Sequence, residues 1–394
     1  MRYEDISKYV DEHRDEAVKF LQQLVRIPSP TGQEEEVALC IGKKLTDEGL
    51  EVQYPTMVPH RPNLLCEWKG GKGKTLLFSG HMDVFPPEGS PSRDPWSGEI
   101  EGDRLYARGS TDMKAGDAAG TLAMVFLKRM GFTPKGTMAL GLNCDEEQGS
   151  KAGLLYCISQ GLFKADLAIV MEASEDTIIV NTDGRIAWKV TIHSDGWHAG
   201  TRVPGKVDSL QMAHELIGKI YDYDRMLFKE RYFGGREFGA SIAVTGVSAG
   251  FEGRTVNMHP ATTTIWIDRR YTKGETIESA TKELKDMIES VPGVAGRYEL
   301  EELYSCGKIE IDPNDPDILA CMEDYRTVFK SPIRPGRRNG GGDAVKLQLL
   351  NDTRAPQLGP GLYDVLGSDD EYVSIEQYIG YIKLYMLITS HYLA

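Results

Sequence analysis

The segments TLLFSGHMD (residues 75–83), TMALGLNCDEE (137–147) and LAIVME (167–172) share one construction. Each is a short apolar run of the kind that makes a buried strand, and each ends in ionisable side chains: His81, the acidic triplet Asp145-Glu146-Glu147, and Glu172. In open α/β sheets, ligands gather beyond the carboxyl ends of the strands, so such runs place their terminal groups around one cleft. Asp112, which heads the helical stretch Met113 to Arg129, joins them. From Glu51 to Val180 short apolar runs alternate with helical stretches, the pattern of a mixed, largely parallel sheet flanked by helices. The predicted fold class is therefore α/β.

Working outward, Val18, Leu21 and Val25 lie on one face of a helix over residues 13–27, which Pro28 and Pro30 end. Thr31 followed by Glu34 reads as a capping box that opens a second helix through about Leu45. After Val180 the pattern changes. Ile186, Trp188, Val190 and Ile192 alternate as a half-buried strand does, and residues 207–220 form an amphipathic helix. Strand-like stretches follow at 240–247 and 262–268, then a helix at 275–289. This β-α-β-β-α order predicts an inserted two-layer, ferredoxin-like α/β domain at 181–292. Past Pro292 helices and short strands resume, ending in a long helix from Ser374 to Tyr392, so 1–180 and 293–394 are expected to form one catalytic domain.

Lys plus Arg total 45 against 59 for Asp plus Glu, a net charge of -14, which argues against nucleic acid or an anionic membrane as partner. A small-molecule substrate fits better. The six cysteines show no CxxC spacing, so neither a zinc ribbon nor a disulfide framework is indicated. The opening stretch MRYEDISKYVDEHRDE is charged and lacks an apolar signal core, and the expected location is cytoplasmic.

His81 lies two residues before Asp83, and a metal-bound imidazole commonly donates its second N–H to such a carboxylate. A strand-end histidine bonded to a local turn would read the same way, as would an N-cap carboxylate at Asp112. Asp145-Glu146-Glu147 is harder to satisfy without a ligand, because adjacent acids at the end of an apolar strand repel one another unless a cation or solvent takes up the charge.

In order and spacing, SGHMDVFPP (79–87), DPWSGEIEGDRLYARGSTDMKAG (94–116), NCDEEQGS (143–150) and MEAS (171–174) together resemble the M20 family of metallopeptidases and deacylases. The resemblance spans essentially the whole chain. It implies a divalent metal cofactor, zinc or manganese, and an inserted domain that serves as a lid and pairs two copies into a homodimer. By the same resemblance Asp112 would bridge two ions, with a cis peptide bond after it; His81 and Glu172 would hold one ion and Glu147 the other. Glu146 would be the general base and Asp83 would orient His81. In the insert, Trp197-His198-Ala199-Gly200 falls where the family places a histidine that supports the developing oxyanion, which makes His198 the expected catalytic group there. Asn257 in RTVNMHP and Arg269 in WIDRR fall at substrate-contacting positions, the arginine gripping a carboxylate bidentately. Gly340-Gly341-Gly342-Asp343-Ala344 matches a glycine-rich turn that closes the active site, with Gly342 at the substrate and Asp343 ordering the turn.

One ligand is missing. Asp370-Glu371-Tyr372-Val373 matches a family segment that usually carries a histidine three residues before its aspartate; that position here is Gly367, and no histidine occurs from Pro260 to Ser390. Only Asp364, Ser368 or Asp369 offers oxygen nearby. The expectation is one tightly held ion at His81, Asp112 and Glu172, an open site able to activate water, with two ions as the alternative. The expected reaction is metal-dependent hydrolysis of an amide C–N bond in a small carboxylated substrate, an N-acyl amino acid or a dipeptide-like compound. Glycine there enlarges the pocket, and the chain resembles an atypical branch of the family that includes a 5-nitroanthranilate deaminase, a resemblance that implies hydrolytic deamination of an aromatic amine as a second reading. A non-catalytic relic that binds a small molecule is a third, disfavoured by the retained Glu146.

Overall fold

Lys74–His81 forms a strand that is buried from Leu76 onward, with parallel partners on both sides: Gly136–Asn143 and Leu167–Ala173. A strand covered on both faces needs no polar alternation, which is why these runs are continuously apolar. Leu64–Lys69 adds antiparallel to Gly136–Asn143, and Gln357–Gly359 adds parallel to Leu167–Ala173, so the sheet is mixed. The computed structural model describes residues 1–87, 89–230, 239–250, 257–272, 274–340 and 342–394. Contacts divide the chain into two units, one of Met1–Val180, Ile311–Gly336 and Gly342–Ala394, the other of Asn181–Glu310 and Arg337–Gly341.

In the first unit the helix Ala115–Arg129 is buried along every residue from Ala115 to Leu127. Its small side chains permit that. A Cβ on Gly116 would lie 2.3 Å from the Met171 carbonyl oxygen, and one on Gly80 would lie 2.1 Å from Asp117 Oδ1, so glycine on both elements lets helix and sheet approach. The helix Ile375–Tyr392 packs beside it, opened by Ser374, whose hydroxyl accepts from the Gln377 N–H. The expected capping box at Thr31 is not formed. The helix there is Glu35–Thr46, the Thr31 hydroxyl donates to Asp83 Oδ2 at 2.9 Å, and Glu34 is bonded by Arg61. Both side chains are spent on tertiary partners that a local motif cannot anticipate.

In the second unit the strands are ordered Tyr298–Cys306, Thr177–His193, Thr262–Tyr271, Ser241–Ala249, all antiparallel. Ile186, Trp188, Val190 and Ile192 pack with Ile265 and Ile267 against the helices Ser209–Glu230 and Ile277–Glu289. This unit runs past Pro292 because Tyr298–Cys306 completes the sheet. Among the described residues no helix is long and apolar enough to cross a membrane.

Candidate metal centre

Parallel register sets the height of the site's side chains. His81 pairs with Asn143 on one side; on the other, Ser79 pairs with Val170, so Glu172, two residues on, reaches the level of His81 and shares its face. Asp112 comes from the turn Ser110–Lys114, where Asp112 and Met113 are non-helical and the peptide bond between them is cis. Asp112 is therefore not an N-cap. Its turn is organised by Glu371, whose carboxylate accepts from the N–H groups of Gly109, Thr111 and Asp112 at 3.1, 2.8 and 2.9 Å and from Arg108 Nη1 at 2.9 Å. Burial, then the charge of Asp112, push the Glu371 carboxyl up, and these donors pull the other way.

His81, Asp112 and Glu147 each offer a ligand atom within 4.8 Å of the others. His81 Nε2 lies 3.1 Å from Asp112 Oδ1 and 3.7 Å from Glu172 Oε1. Its Nδ1 donates to the Asp83 backbone carbonyl at 2.9 Å, while the Asp83 carboxylate stands 3.7 Å away. That carboxylate accepts instead from the N–H groups of Glu146 and Glu147 at 3.0 and 3.2 Å, so Asp83 fixes the tautomer of His81 with one group and the acidic turn with another. Asp145, in the left-handed region at φ 67°, turns the chain between strand and acids and is bonded by Arg61 at 3.0 Å.

The cradle is strained electrostatically. Burial pushes Glu147 up to about 10, with the charge of Asp112 adding to it, and pushes Glu146 up to about 7, with Asp343 adding to it. Burial works against a charged His81, and the bond to Asp112 with the charges of Glu146 and Glu147 outweighs it, raising the imidazole. Glu147 Oε1 is buried and has no hydrogen-bond partner among the described residues. An imidazole beside several carboxylates, one with an unpartnered buried oxygen, fits a divalent cation.

No group from the segment around Gly367 joins this cluster among the described residues. Gly367 is at φ 67°, and a Cβ there would be 3.8 Å from Phe85. Asp369 accepts from the Ser90 N–H at 3.1 Å, and Asp370 from the Ser92 N–H at 2.9 Å. Asp343, fully buried, accepts from Asn143 and Ser150, and Gly342 opens the helix Gly342–Asn351 with its bare Cα turned toward Glu146: a Cβ would lie 3.9 Å from Oε1.

The second unit brings His198 and Asn257 together, with Nε2 3.0 Å from the asparagine amide nitrogen, and Nδ1 accepts from the Gly200 N–H at 3.1 Å. Both residues are exposed. Arg269, expected to grip a substrate carboxylate, has acidic partners within its own unit. It is 1% exposed, because Thr263, Ile265, Ile267, Arg269 and Tyr271 all point to the buried face of their strand, and it bonds Glu275 and, at 3.4 Å, Glu283. The alternation of its own strand carried that signal; Arg270 takes the opposite face. The part Glu371 plays in shaping the Asp112 turn was missed in the sequence, since an acid met by three backbone donors has no local sequence mark.

The sequence profile of Peptidase family M20/M25/M40 matches residues 77–391. Succinyl-diaminopimelate desuccinylase of Methylobacterium radiotolerans is 28% identical over 82% of this chain and 82% of its own length. Carboxypeptidase G2 of Pseudomonas sp. strain RS-16 is 28% identical over 68% of this chain and 63% of its own. Among solved structures, the Bacillus subtilis YXEP protein, described as a dinuclear metal binding peptidase, superposes with a TM-score of 0.71 at 16% identity, covering 97% of this chain and 99% of that one. The fold class read from the apolar runs is thus the fold these proteins share. With four fifths of its length matched by the profile, the chain belongs to the M20 family, whose hydrolases act on amide and peptide bonds and use divalent metals.

Proposed function

We propose that this protein hydrolyses an amide C–N bond in a small carboxylated substrate, an N-acyl amino acid or a dipeptide-like compound. The observation that carries the reading is the convergence of His81, Asp112 and Glu147 within 4.8 Å, with the unpartnered Glu147 Oε1 among them and Glu146 alongside. His81 and Asp112, with Glu172 and Glu147, would hold one divalent ion, zinc or manganese. When bound, such an ion supplies Lewis acidity, polarising a carbonyl and lowering the pKa of water to about 7.

The chain's own groups do the rest. Glu146, pushed up to about 7 mainly by burial, has a proton affinity matched to neutral pH, so its carboxylate takes a proton from the attacking water and returns it to the leaving nitrogen. His198 supports the developing oxyanion, and Asn257 positions the imidazole and contacts substrate. Gly342 leaves room beside Glu146 for the scissile group. The second unit serves as lid and dimerisation domain of a homodimer, supported by its edge strand Ser241–Ala249 and by the exposed Tyr221, Met226 and Phe228. Six unpaired cysteines suit a reducing, cytoplasmic compartment.

Gly367 favours one second reading, deamination of an arylamine, because the space beside Phe85 holds no imidazole. A panel of N-acyl amino acids, dipeptides and aminobenzoates, offered to zinc- and manganese-loaded protein, separates the two. Release of carboxylate and amine is expected; release of ammonia from aminobenzoates alone would replace the first reading with the second.

A further inference from the structure

Beside Glu146 stands a cation with no part in the chemistry above. Lys346 lies one turn into the helix Gly342–Asn351, and its Nζ donates to Ser150 Oγ at 2.7 Å and to Asp343 Oδ1 at 3.1 Å. The same Nζ is 3.7 Å from Glu146 Oε1. Ser150 Oγ donates to Asp343 Oδ1 at 3.2 Å, and Asn143 bonds the other Asp343 oxygen, so Ser150 and Asp343 satisfy each other without the lysine. What the lysine adds is a fixed positive charge.

A lysine ammonium on its four-carbon stem is mobile in water, and bonds to two partners confine it. Here the side chain is only 20% exposed and Asp343 only 2%, so the charge is held against a buried anchor. Glu146 needs such a hold, because Asp343 and Glu172 are acids that repel its carboxylate. A catalytic group displaced by about 1 Å can lose about 10²-fold in rate. We propose that Lys346 is a positioning residue for Glu146: clamped by Ser150 and Asp343, its ammonium pins the Oε1 side of the carboxylate. The clamp rests on the reading of Glu146 as the base, and it sets turnover without touching the substrate.

Two measurements test it. Crystals of the zinc-loaded protein need no substrate: in K346M the Glu146 carboxylate should swing away from its wild-type place by about 1 Å or more, and in K346R it should return. An unmoved carboxylate in K346M overturns the proposal. With N-acetyl-L-methionine as probe, K346M should lower kcat by about 10–100-fold at nearly constant KM, and K346R should recover most of it. On the E146Q background K346M should cost nothing further, since a residue acting through Glu146 has nothing left to position; losses that multiply across the two substitutions would overturn the clamp. Should K346M fold poorly, S150A loosens the same ammonium and should show a smaller loss of the same kind. Wild-type turnover in E146Q together with a displaced carboxylate in K346M would reject the base assignment while leaving the clamp standing.

Discussion

The metal centre and the second unit's His198–Asn257 pair, with Arg269 on that unit's sheet, are built on opposite terms. In the first unit His81, Asp112 and Glu172 are buried at 1%, 7% and 5% exposure, His81 and Glu172 on apolar strands and Asp112 in a turn that Glu371 holds through backbone N–H groups. In the second unit His198 and Asn257 are exposed and bond each other, while the deeply buried Arg269 is neutralised by Glu275. The difference teaches where each cluster's energy goes. Acids crowded in a dry cradle are costly until a cation arrives, so that site is built to bind. A buried arginine already paired with its own glutamate is committed to the fold.

Substitutions test that contrast. The largest effect should come from E146Q, which keeps shape and removes basicity: kcat falls by about 10²–10⁴-fold with metal content unchanged, as turnover and elemental analysis would show. Near-normal turnover would remove Glu146 from the chemistry. Next, R269A should destabilise the protein by about 3–5 kcal/mol in urea melts, because the buried Glu275 loses its guanidinium partner. Turnover per folded molecule should stay the same, and a selective rise in KM for carboxylated substrates would reinstate Arg269 as a substrate contact. The smallest effect belongs to E371Q, which weakens the acceptor of the Asp112 turn; metal affinity should fall by about 10–100-fold, read from competition with a chelator. Unchanged affinity would mean that the turn holds its shape without that charge.

What could be read from the sequence follows the same divide. The strands and the acids that end them were legible because an acid after LAIVM or TMALGLNC conflicts with its surroundings, and that conflict survives any uncertainty in tertiary detail. Three strands of the second unit were legible, two of them from alternation over Ile186–Ile192 and 262–268; the fourth, Tyr298–Cys306, lay past the expected boundary at 292. The burial of Arg269 was legible in the alternation of its own strand, which sends 269 inward, and not in the motif position that suggested a substrate contact. The roles of Thr31, Glu34 and Glu371 were not readable at all. Their partners Asp83, Arg61 and the Gly109–Asp112 turn lie between 27 and 262 residues away in sequence, and only folding brings them together.

In the proposed working site one divalent ion is held by His81 and Asp112, with Glu172 and Glu147. Glu147, raised to about 10 first by burial and then by Asp112, carries a proton at pH 7 in the metal-free protein, and a ligating carboxylate must give it up. Affinity should therefore increase as pH rises toward that value. Zinc titrated at pH 7 into chelator-stripped protein, with activity and proton release followed together, tests this directly. Activity should saturate at one equivalent per chain as protons are released; activity that climbs to two equivalents, or binding that releases no proton, would contradict a single working ion with Glu147 as its ligand.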